Sequence, residues 1–339
     1  MKNEKLNVAV VGTGLFGHVH LHAYRQHPRV ELKLACDINP QRAERVSQEF
    51  GVPVVQDYRE VAANPSIQAV SVATPDFLHR EVVVAMLEAG KHVLVEKPLA
   101  TTLEEAHAMV QAARAAGRHL MVDFHNRWNP PVVHAKERIL SGRFGKPVIA
   151  SARLANTLMV PRQMLSWSGQ SGPQWFLFPH IIDMVCWLFD RRATRVTAVG
   201  RKGVLQAMGI DAYDAVQALV EFEDCSATFE TAWILPETYP HVVDFGAMLL
   251  GTKERIGLDP LPPLVDASGE RYEWPITGAM QEIHGRMTGW QLLPILHFAD
   301  ALVEERAPMV TPEEGLHNTA VICAIERSIL SGKPEPVGA

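Results

Sequence analysis

A glycine-rich hexapeptide between a strand and a helix constrains this chain more than any other feature. Residues 12–17 read GTGLFG, after an apolar, β-branched run and before a helix-length segment. GxGxxG in that setting is typical of a dinucleotide-binding turn, in which the glycines allow a tight bend, close approach of a pyrophosphate and helix packing. The helix start supplies amide donors and a positive dipole end for the phosphates. We therefore predict cofactor contacts from Gly12, Gly14, Leu15, Phe16 and Gly17.

An acid follows the second predicted strand. Val30 to Cys36 is apolar enough for a buried strand, and Asp37 stands twenty residues after Gly17. A carboxylate at this place accepts the adenosine ribose hydroxyls and repels a 2′-phosphate, so the pattern favours NAD over NADP. Asp37 could instead cap the helix that begins near Asn39, and the two roles are compatible.

The alternation of strands and helices continues to residue 124. Short apolar runs near residues 54, 70, 94 and 121 predict four more strands, which complete a doubly wound parallel sheet, the Rossmann fold of an α/β protein. All seven tryptophans lie beyond that point, from Trp128 onward. We predict two domains, an NAD(P)-binding domain at 1–124 and a second domain at 125–339 that binds the substrate. Strands without intervening helices predict a mainly antiparallel sheet in the second domain.

The fifth strand delivers the first candidate for chemistry. Residues 92–98 read HVLVEKP, a buried strand that ends in Glu96, Lys97 and a proline. The carboxyl ends of parallel strands face the ligand crevice, so we predict that Lys97 takes part in catalysis. Thr74 and Pro75 follow the fourth strand at the same edge. The alternative for Lys97 is a surface lysine in a loop.

Composition excludes several classes of function. A net charge of −6 without basic runs argues against nucleic acid and anionic membranes as partners. No segment is apolar for long enough to span a bilayer, and the polar start of the chain leaves no room for a signal peptide. The four cysteines are widely scattered, which is typical of reduced packing residues. These features favour a cytoplasmic protein with a small-molecule ligand.

One helix of the second domain carries a further candidate. Residues 179–189 read PHIIDMVCWLF, and His180, Asp183 and Trp187 share a face by their spacing. His180, in the first turn, is a candidate proton acceptor or donor. The alternative is a buried structural histidine that Asp183 holds.

A second histidine pattern, His18, His20 and His22, invites a metal interpretation. On a helix His18 and His22 share a face, but no carboxylate or cysteine lies at ligand spacing in the sequence. We therefore predict no metal.

Together these motifs resemble the glucose-fructose oxidoreductase/inositol dehydrogenase/MocA (Gfo/Idh/MocA) family over essentially the whole chain. The matching features are the glycine loop, Thr74-Pro75 with His79, Glu96-Lys97-Pro98, Arg127 with Pro130, and the HxxD of His180 and Asp183. The resemblance implies a Rossmann domain, and a C-terminal α/β domain whose open, mostly antiparallel sheet meets a neighbouring subunit in a homodimer or homotetramer. It also implies oxidation or reduction of a sugar or polyol with NAD(P) by Lys97 and His180. The predicted cofactor contacts outside the glycine loop and Asp37 are Thr74, Pro75, His79, Glu96 and Lys97.

One position departs from the family pattern. Members often carry an aspartate four residues before the catalytic histidine, and here that position is Phe176. Either Lys97 transfers the proton with His180 as a hydrogen-bonding partner, or Asp183 orients His180, or catalysis has been lost.

The expected reaction is hydride transfer between nicotinamide and a hydroxyl or keto carbon of a carbohydrate, with Lys97 and His180 flanking the oxygen. Alternatives are an NAD-responsive regulator without turnover and an oxidoreductase acting on a dihydrodiol or an imine-like bond. Predicted substrate contacts are Asn126, Arg127, Trp175 and Asp183. Weaker candidates are Trp128, Trp167, Tyr239, His284 and Arg286.

Overall fold

The computed structural model describes residues 5–270 and 272–338. The polar start of the chain, residues 1–4, lies outside the described residues. The elements up to residue 140 are β1 Leu6–Val11, α1 Leu15–Gln26, β2 Val30–Cys36, α2 Pro40–Phe50, β3 Val54–Val55, α3 Tyr58–Ala63, β4 Ala69–Val72, α4 His79–Glu88, β5 His92–Val95, α5 Leu103–Ala116, β6 Leu120–Val122 and α6 Pro130–Leu140.

The later elements are β7 Pro147–Thr157, α7 Pro173–Phe176, α8 Phe178–Phe189, β8 Arg195–Arg201, α9 Val204–Ala207, β9 Ala215–Glu221, β10 Ser226–Leu235, β11 Val243–Gly251, β12 Arg255–Leu258, β13 Ala267–Ser268, β14 Tyr272–Glu273, β15 Gln281–Ile283, β16 Arg286–Thr288, α10 Leu293–Val303, α11 Pro312–Ser331 and β17 Glu335–Pro336. No helix among the described residues is long and apolar enough to cross a membrane.

The chain divides into two compact units. The first contains the residues up to His125 together with Met280–Leu316, and the second contains Asn126–Ala279 and the residues from His317 onward. The segment Met280–Leu316, which the sequence analysis placed in the second domain, is therefore grouped with the first unit.

The first unit contains the predicted doubly wound sheet. Its six strands run in the order β3-β2-β1-β4-β5-β6, and every pair is parallel. The central strands β1, β4 and β5 are almost wholly buried, as expected for strands covered by helices on both faces. The order reverses between β1 and β4, and the loops after these strands lie at the edge where such sheets bind ligands.

The second unit contains a mixed, mainly antiparallel sheet of seven strands in the order β12-β11-β7-β10-β9-β8-β17. One pair, β7 with β10, is parallel, and the other pairs are antiparallel. Helices α7 and α8 pack on one face. The apolar residues that point to that face form the core, with Phe229 and Trp233 fully buried on β10.

One helix begins later than its pattern predicts. The apolar spacing of residues 287–306 predicts a helix from about residue 287. The chain instead forms the hairpin strand β16, passes Gly289 at φ +123°, and starts α10 at Leu293. Gly289 adopts a backbone conformation that favours glycine, and Pro294 lies in the first turn of the helix. The spacing of apolar residues carries no signal for such a break.

Candidate functional site

The glycine loop has the geometry that its motif predicts. Gly12 adopts φ +85°, and a Cβ there would lie 2.6 Å from the carbonyl oxygen of Ala73. A Cβ at Gly17 would lie 1.9 Å from the carbonyl oxygen of Gly12. Gly14 differs, because the nearest atom to its Cβ would be an Arg42 nitrogen at 3.6 Å. Two of the three glycines are therefore required by the backbone, and the side of the loop at Gly14 has room.

Asp37 is held beside that loop. It is buried, and its Oδ2 accepts hydrogen bonds from the backbone N–H and the hydroxyl of Thr13, at 2.9 and 2.8 Å. Its Oδ1 accepts from the backbone N–H of Asn39, and the side chain of Asn39 caps α2. Arg42 reaches Oδ2 at 3.4 Å from a half-exposed position. The sequence did not reveal that Thr13 orients this carboxylate.

His79 ties together the loops after β4 and β5. Its two ring nitrogens lie 2.8 Å from the carbonyl oxygen of Pro98 and 3.0 Å from that of Thr74. Its side chain is fully buried. The hydroxyl of Thr74 is also buried, and within the described part of the chain it has no hydrogen-bond partner. The loop after β4 therefore presents a polar atom that a ligand could satisfy.

Lys97 lies directly after β5 and is 6% exposed. Burial lowers the pKa of its amine, because a charged ammonium loses hydration inside the protein. Nearby carboxylates act in the opposite direction and raise that pKa: Glu96 most, then Asp76, and Asp123 to the extent that it is ionised. A buried amine with a lowered pKa releases its proton more readily than a surface lysine, as a group that accepts and donates a proton in turn requires.

A hydrogen-bonded network lies next to Lys97. The imidazole of His20 bonds Glu96 through Nε2, at 3.2 Å, and Ser71 through Nδ1, at 2.9 Å. Ser71 in turn bonds the hydroxyl of Tyr24 at 2.7 Å, and Asp123 Oδ2 lies 3.7 Å from His20 Nε2. The motifs at this edge identified Glu96 but not the other members, which come from three further segments: α1, β4 and the end of β6.

The second unit places His180 in the first turn of α8. Its side chain is 8% exposed, and its backbone carbonyl accepts a hydrogen bond from the amide nitrogen of Asn126 at 3.3 Å. Asn318, on α11, donates in the same way to the carbonyl of Pro179 at 3.1 Å. The amide oxygens of both asparagines are buried and lack a hydrogen-bond partner among the described residues. Two acceptors thus flank this helix start, and sequence spacing could not have indicated Asn318.

Asp183 is paired with Arg127. The guanidinium donates from Nε to Oδ2 at 3.0 Å and from a terminal nitrogen to Oδ1 at 2.6 Å. Both side chains are almost fully buried, and the guanidinium also lies 5.8 Å from the ring centre of Trp187. Because both carboxylate oxygens accept from Arg127, the pair anchors α8. Their predicted contacts with substrate stay predictions.

Phe176, at the position where family members often carry an aspartate, packs among aromatic rings. Phe176 makes edge contacts with Trp167 and Trp233, with ring centres 6.2 and 5.7 Å apart. Its neighbour Trp175 is 5% exposed and donates its indole N–H to Glu326 at 2.8 Å. The predicted substrate contact of Trp175 is untested, and its observed contacts are those of a core residue.

The weaker candidates are distributed over both units. His284 and Arg286 lie at the hairpin of β15 and β16, in the first unit. Tyr239 lies in the second unit, where its ring contacts Trp274. Trp128 occupies the short turn before α6. Their roles at the substrate stay predictions.

The folded chain does bring a carboxylate to the paired histidines of α1. Glu49, near the end of α2, lies 2.9 Å from His18 Nε2 and 3.5 Å from His22 Nε2. The argument that no carboxylate lies at ligand spacing is therefore wrong in three dimensions, because Glu49 is distant in sequence. The prediction of no metal stays a prediction.

Comparison with known sequences agrees with this geometry. Residues 6–124 match the Gfo/Idh/MocA model described as an oxidoreductase family with an NAD-binding Rossmann fold, and residues 132–257 match the C-terminal domain of the same family. The chain belongs to the Gfo/Idh/MocA family. It is an oxidoreductase, and its cofactor is NAD.

Relatives of this Gfo/Idh/MocA chain have names that describe polyol and sugar dehydrogenases. The scyllo-inositol 2-dehydrogenase (NAD(+)) of Bacillus subtilis is 28% identical over 98% of this chain and 96% of its own. The levoglucosan dehydrogenase of Pseudarthrobacter phenanthrenivorans is 34% identical over 63% of this chain and 60% of its own. The crystal structure of apo scyllo-inositol dehydrogenase from Lactobacillus casei aligns over the full length of both chains with a TM-score of 0.86 at 21% identity, which supports the fold.

The residues at the carboxyl edge of the Rossmann sheet fit NAD. The glycine loop has no room for side chains where its backbone is crowded, and Asp37 is fixed beside the loop. The hydroxyl of Thr74 has no hydrogen-bond partner among the residues that the structure describes. These are the features that a pyrophosphate and a ribose diol require.

Proposed function

We propose that this chain oxidises a ring hydroxyl of a cyclic polyol or sugar with NAD, or reduces the corresponding ketone, and that Lys97 handles the proton. The observation that carries the proposal is the amine of Lys97, which is buried after β5 at the cofactor edge of the sheet and has a lowered pKa. The names of the inositol and levoglucosan dehydrogenases among its relatives support the substrate class.

When bound, NAD accepts or supplies the hydride, and the protein holds the cofactor and moves one proton. We propose that the backbone at Gly12 and Gly14 and the start of α1 bind the pyrophosphate, and that Asp37 accepts the ribose hydroxyls. In oxidation the neutral amine of Lys97 takes the proton from the substrate hydroxyl; in reduction the ammonium returns it to the ketone oxygen. Proton transfer by a positioned side chain contributes roughly 10²- to 10⁴-fold to the rate.

We further propose that the second unit recognises substrate hydroxyls near the start of α8. The buried amide oxygens of Asn126 and Asn318 are suited to accept hydrogen bonds from hydroxyl groups. His180 stays a predicted catalytic residue. Phe176 supplies no carboxylate, so we do not assign an acid that assists the histidine of this chain.

The test is absorbance at 340 nm with NAD and a panel containing inositol isomers, levoglucosan, glucosides and a cis-dihydrodiol. Turnover of at least one polyol or sugar is expected. Lys97→Met should lower kcat at least about 100-fold while the NAD dissociation constant, measured by titration calorimetry, changes less than about threefold. Lys33→Met, at a half-exposed lysine on β2, is the control and should retain wild-type turnover.

Two outcomes would contradict the proposal. NAD binding without turnover of any compound in the panel would favour a regulator. Turnover that survives Lys97→Met would remove Lys97 from the reaction. Preference for the dihydrodiol would retain the chemistry but change the substrate class.

We propose that the chain forms a homodimer or homotetramer through the open face of the seven-stranded sheet. Ile149, Val199 and Leu219 are each 40–49% exposed there. Arg153 and Glu230 lie on the same face and line a cavity of about 590 Å³. Exposed apolar residues on an uncovered sheet are typical of an interface. Light scattering should give two or four subunits, and Val199→Lys with Leu219→Lys should shift the mass toward one.

We propose a cytoplasmic location. In the part of the chain that the structure describes, none of the four cysteines forms a disulfide bond, and Cys36 is buried. Burial, with Asp37 nearby, raises the pKa of its thiol to about 12, so this group is a poor nucleophile and a packing residue. Reduced packing thiols are typical of a reducing compartment. Fractionation of cells that express a tagged chain would test this location.

A further inference from the structure

Two buried carboxylates lie beside Lys97, and the proposed reaction does not use either. Glu96 follows β5 and Asp123 follows β6, and their side chains are 8% and 3% exposed. The imidazole of His20 lies between them, with Nε2 3.2 Å from Glu96 and 3.7 Å from Asp123. One oxygen of each carboxylate and that nitrogen all lie within 4.8 Å of one another.

Two ionised carboxylates at this separation in a dry site would repel each other strongly. Asp123 is the less well solvated of the two, because its Oδ1 is buried and has no hydrogen-bond partner within residues 5–270 and 272–338. Glu96 has better partners, since it accepts from His20 and from the backbone N–H of Lys97. The geometry therefore favours a proton on Asp123 and a charge on Glu96.

The pKa shifts agree with this assignment. Burial, followed by the charge of Glu96, raises the pKa of Asp123 well above its usual range. Burial alone would raise the pKa of Glu96 as well, but the hydrogen bond from His20 and the charge of Lys97 lower it overall.

We propose that Glu96 and Asp123 form an acid pair that shares one proton, carried by Asp123, and that this pair is a positioning element that sets the charge opposite Lys97. The inference rests on the proposed function of Lys97. A second ionised carboxylate would stabilise the ammonium form and keep the amine from accepting a proton. With Asp123 neutral, Lys97 faces Glu96 and Asp76 and can still lose its proton.

The other groups around the pair do not supply the missing charge. From β6, burial lowers the pKa of His125 to about 4, so it is neutral at pH 7. From α1, burial raises the pKa of Tyr24, which also stays neutral and is linked to His20 through Ser71. Among the described residues, Asp76, after β4, is a further carboxylate whose charge acts on Lys97.

The first test needs neither substrate nor cofactor. A carboxyl that is protonated in the folded chain and ionised in the unfolded chain takes up a proton on folding, so wild-type stability falls as pH rises above about 4. Asp123→Asn has no carboxyl group at this position, so its stability lacks this pH-dependent contribution. In denaturant unfolding from pH 5 to 8, the folding equilibrium constant of the variant divided by that of the wild type should rise by up to about tenfold per pH unit.

Asp123→Ala should show the same pH slope even if it is less stable overall, and Asp266→Asn, at an exposed site, should show none. A flat difference between Asp123→Asn and wild type over this range would mean that Asp123 is ionised in the folded chain, and the acid pair would be refuted.

The second test is the pH profile of kcat on a substrate that the wild type oxidises. Glu96→Gln removes the charge that faces the amine, so the midpoint of the profile should move to lower pH by about one unit or more. Asp123→Asn should move that midpoint by less than about 0.3 unit, because it replaces a neutral acid. Equal shifts in both variants would overturn the inference. If no substrate is turned over, the proposed function fails, and the stability slope still decides the acid pair.

Discussion

The ion pair of Arg127 and Asp183 offers the sharpest test of how the second unit is held together. Because the pair is buried and joined by two hydrogen bonds, we predict that removing either partner destabilises the folded protein, since the other charge stays buried. Asp183→Asn removes the carboxylate charge that the buried guanidinium faces in this pair, and Arg127→Met removes the guanidinium that the buried carboxylate faces. Removing one partner of a buried pair typically destabilises a protein by about 3–5 kcal/mol.

For a unit of this size each kcal/mol lowers the melting temperature by roughly 2–4 °C, so either substitution should lower it by roughly 6–20 °C. Differential scanning calorimetry at pH 7 measures this directly. The double variant Arg127→Met with Asp183→Leu removes both charges and should recover most of the loss, since no buried ion is left unpaired.

The matched control is Arg191 with Asp224, a pair of the same two residue types with the same two-bond geometry at 2.8 and 3.0 Å. It is exposed, so Arg191→Met should change the melting temperature by about 2 °C or less. If Arg127→Met costs no more than Arg191→Met, or if the double variant is no more stable than the single ones, the anchoring role assigned to the buried pair is wrong.

Three further predictions concern the cofactor loop and acid stability. Gly17→Ala forces a backbone shift in the loop and should weaken NAD binding at least about 100-fold in a calorimetric titration. Asp37→Ser removes the carboxylate and should raise the ratio of NADP to NAD affinity at least about tenfold, measured in the same way. Burial lowers the pKa of His317 to about 4, and its Nε2 accepts a hydrogen bond from the backbone N–H of Ala193. The free energy of unfolding of the wild type should therefore fall as the pH is lowered from 6.5 to 4, and it should fall less in His317→Gln.

The controls for these predictions use sites with space or exposure. Gly269→Ala, where no atom lies within 4 Å of a Cβ, should leave NAD binding unchanged. Unaltered NAD affinity in Gly17→Ala would refute the steric argument, and an unchanged cofactor ratio in Asp37→Ser would show that selectivity lies elsewhere. Parallel pH curves for wild type and His317→Gln would mean that His317 has an ordinary pKa in the folded chain.

The sequence predicted the Rossmann sheet well because its signals are local. The strand before Gly12, the strand that ends at Lys97 and the turn at Thr74 each combine an apolar run with a fixed loop residue, and each strand lies within two residues of its expected place. The mainly antiparallel second sheet was also confirmed, although the parallel pairing of β7 with β10 gave no sequence signal.

The features that were missed depend on contacts between distant segments. Asp123 meets His20 across about a hundred residues, and Asn318 reaches Pro179 from the last helix. Glu49 approaches His18 because α2 ends beside α1. Periodicity shows which face of an element is buried, but it carries no information on which polar atoms of two elements will meet.

Helix α8 carries both the salt-bridged Asp183 and, one turn earlier, the imidazole of His180. The salt bridge between Arg127 and Asp183 limits rotation of the helix about its axis, and it therefore also limits the direction of the His180 imidazole. Any attempt to alter substrate preference by repacking around Arg127 will therefore also turn His180. Changes at Asn126 or Asn318, whose side chains donate hydrogen bonds to backbone carbonyls of this helix start, offer a route to new specificity that keeps the salt bridge of Asp183.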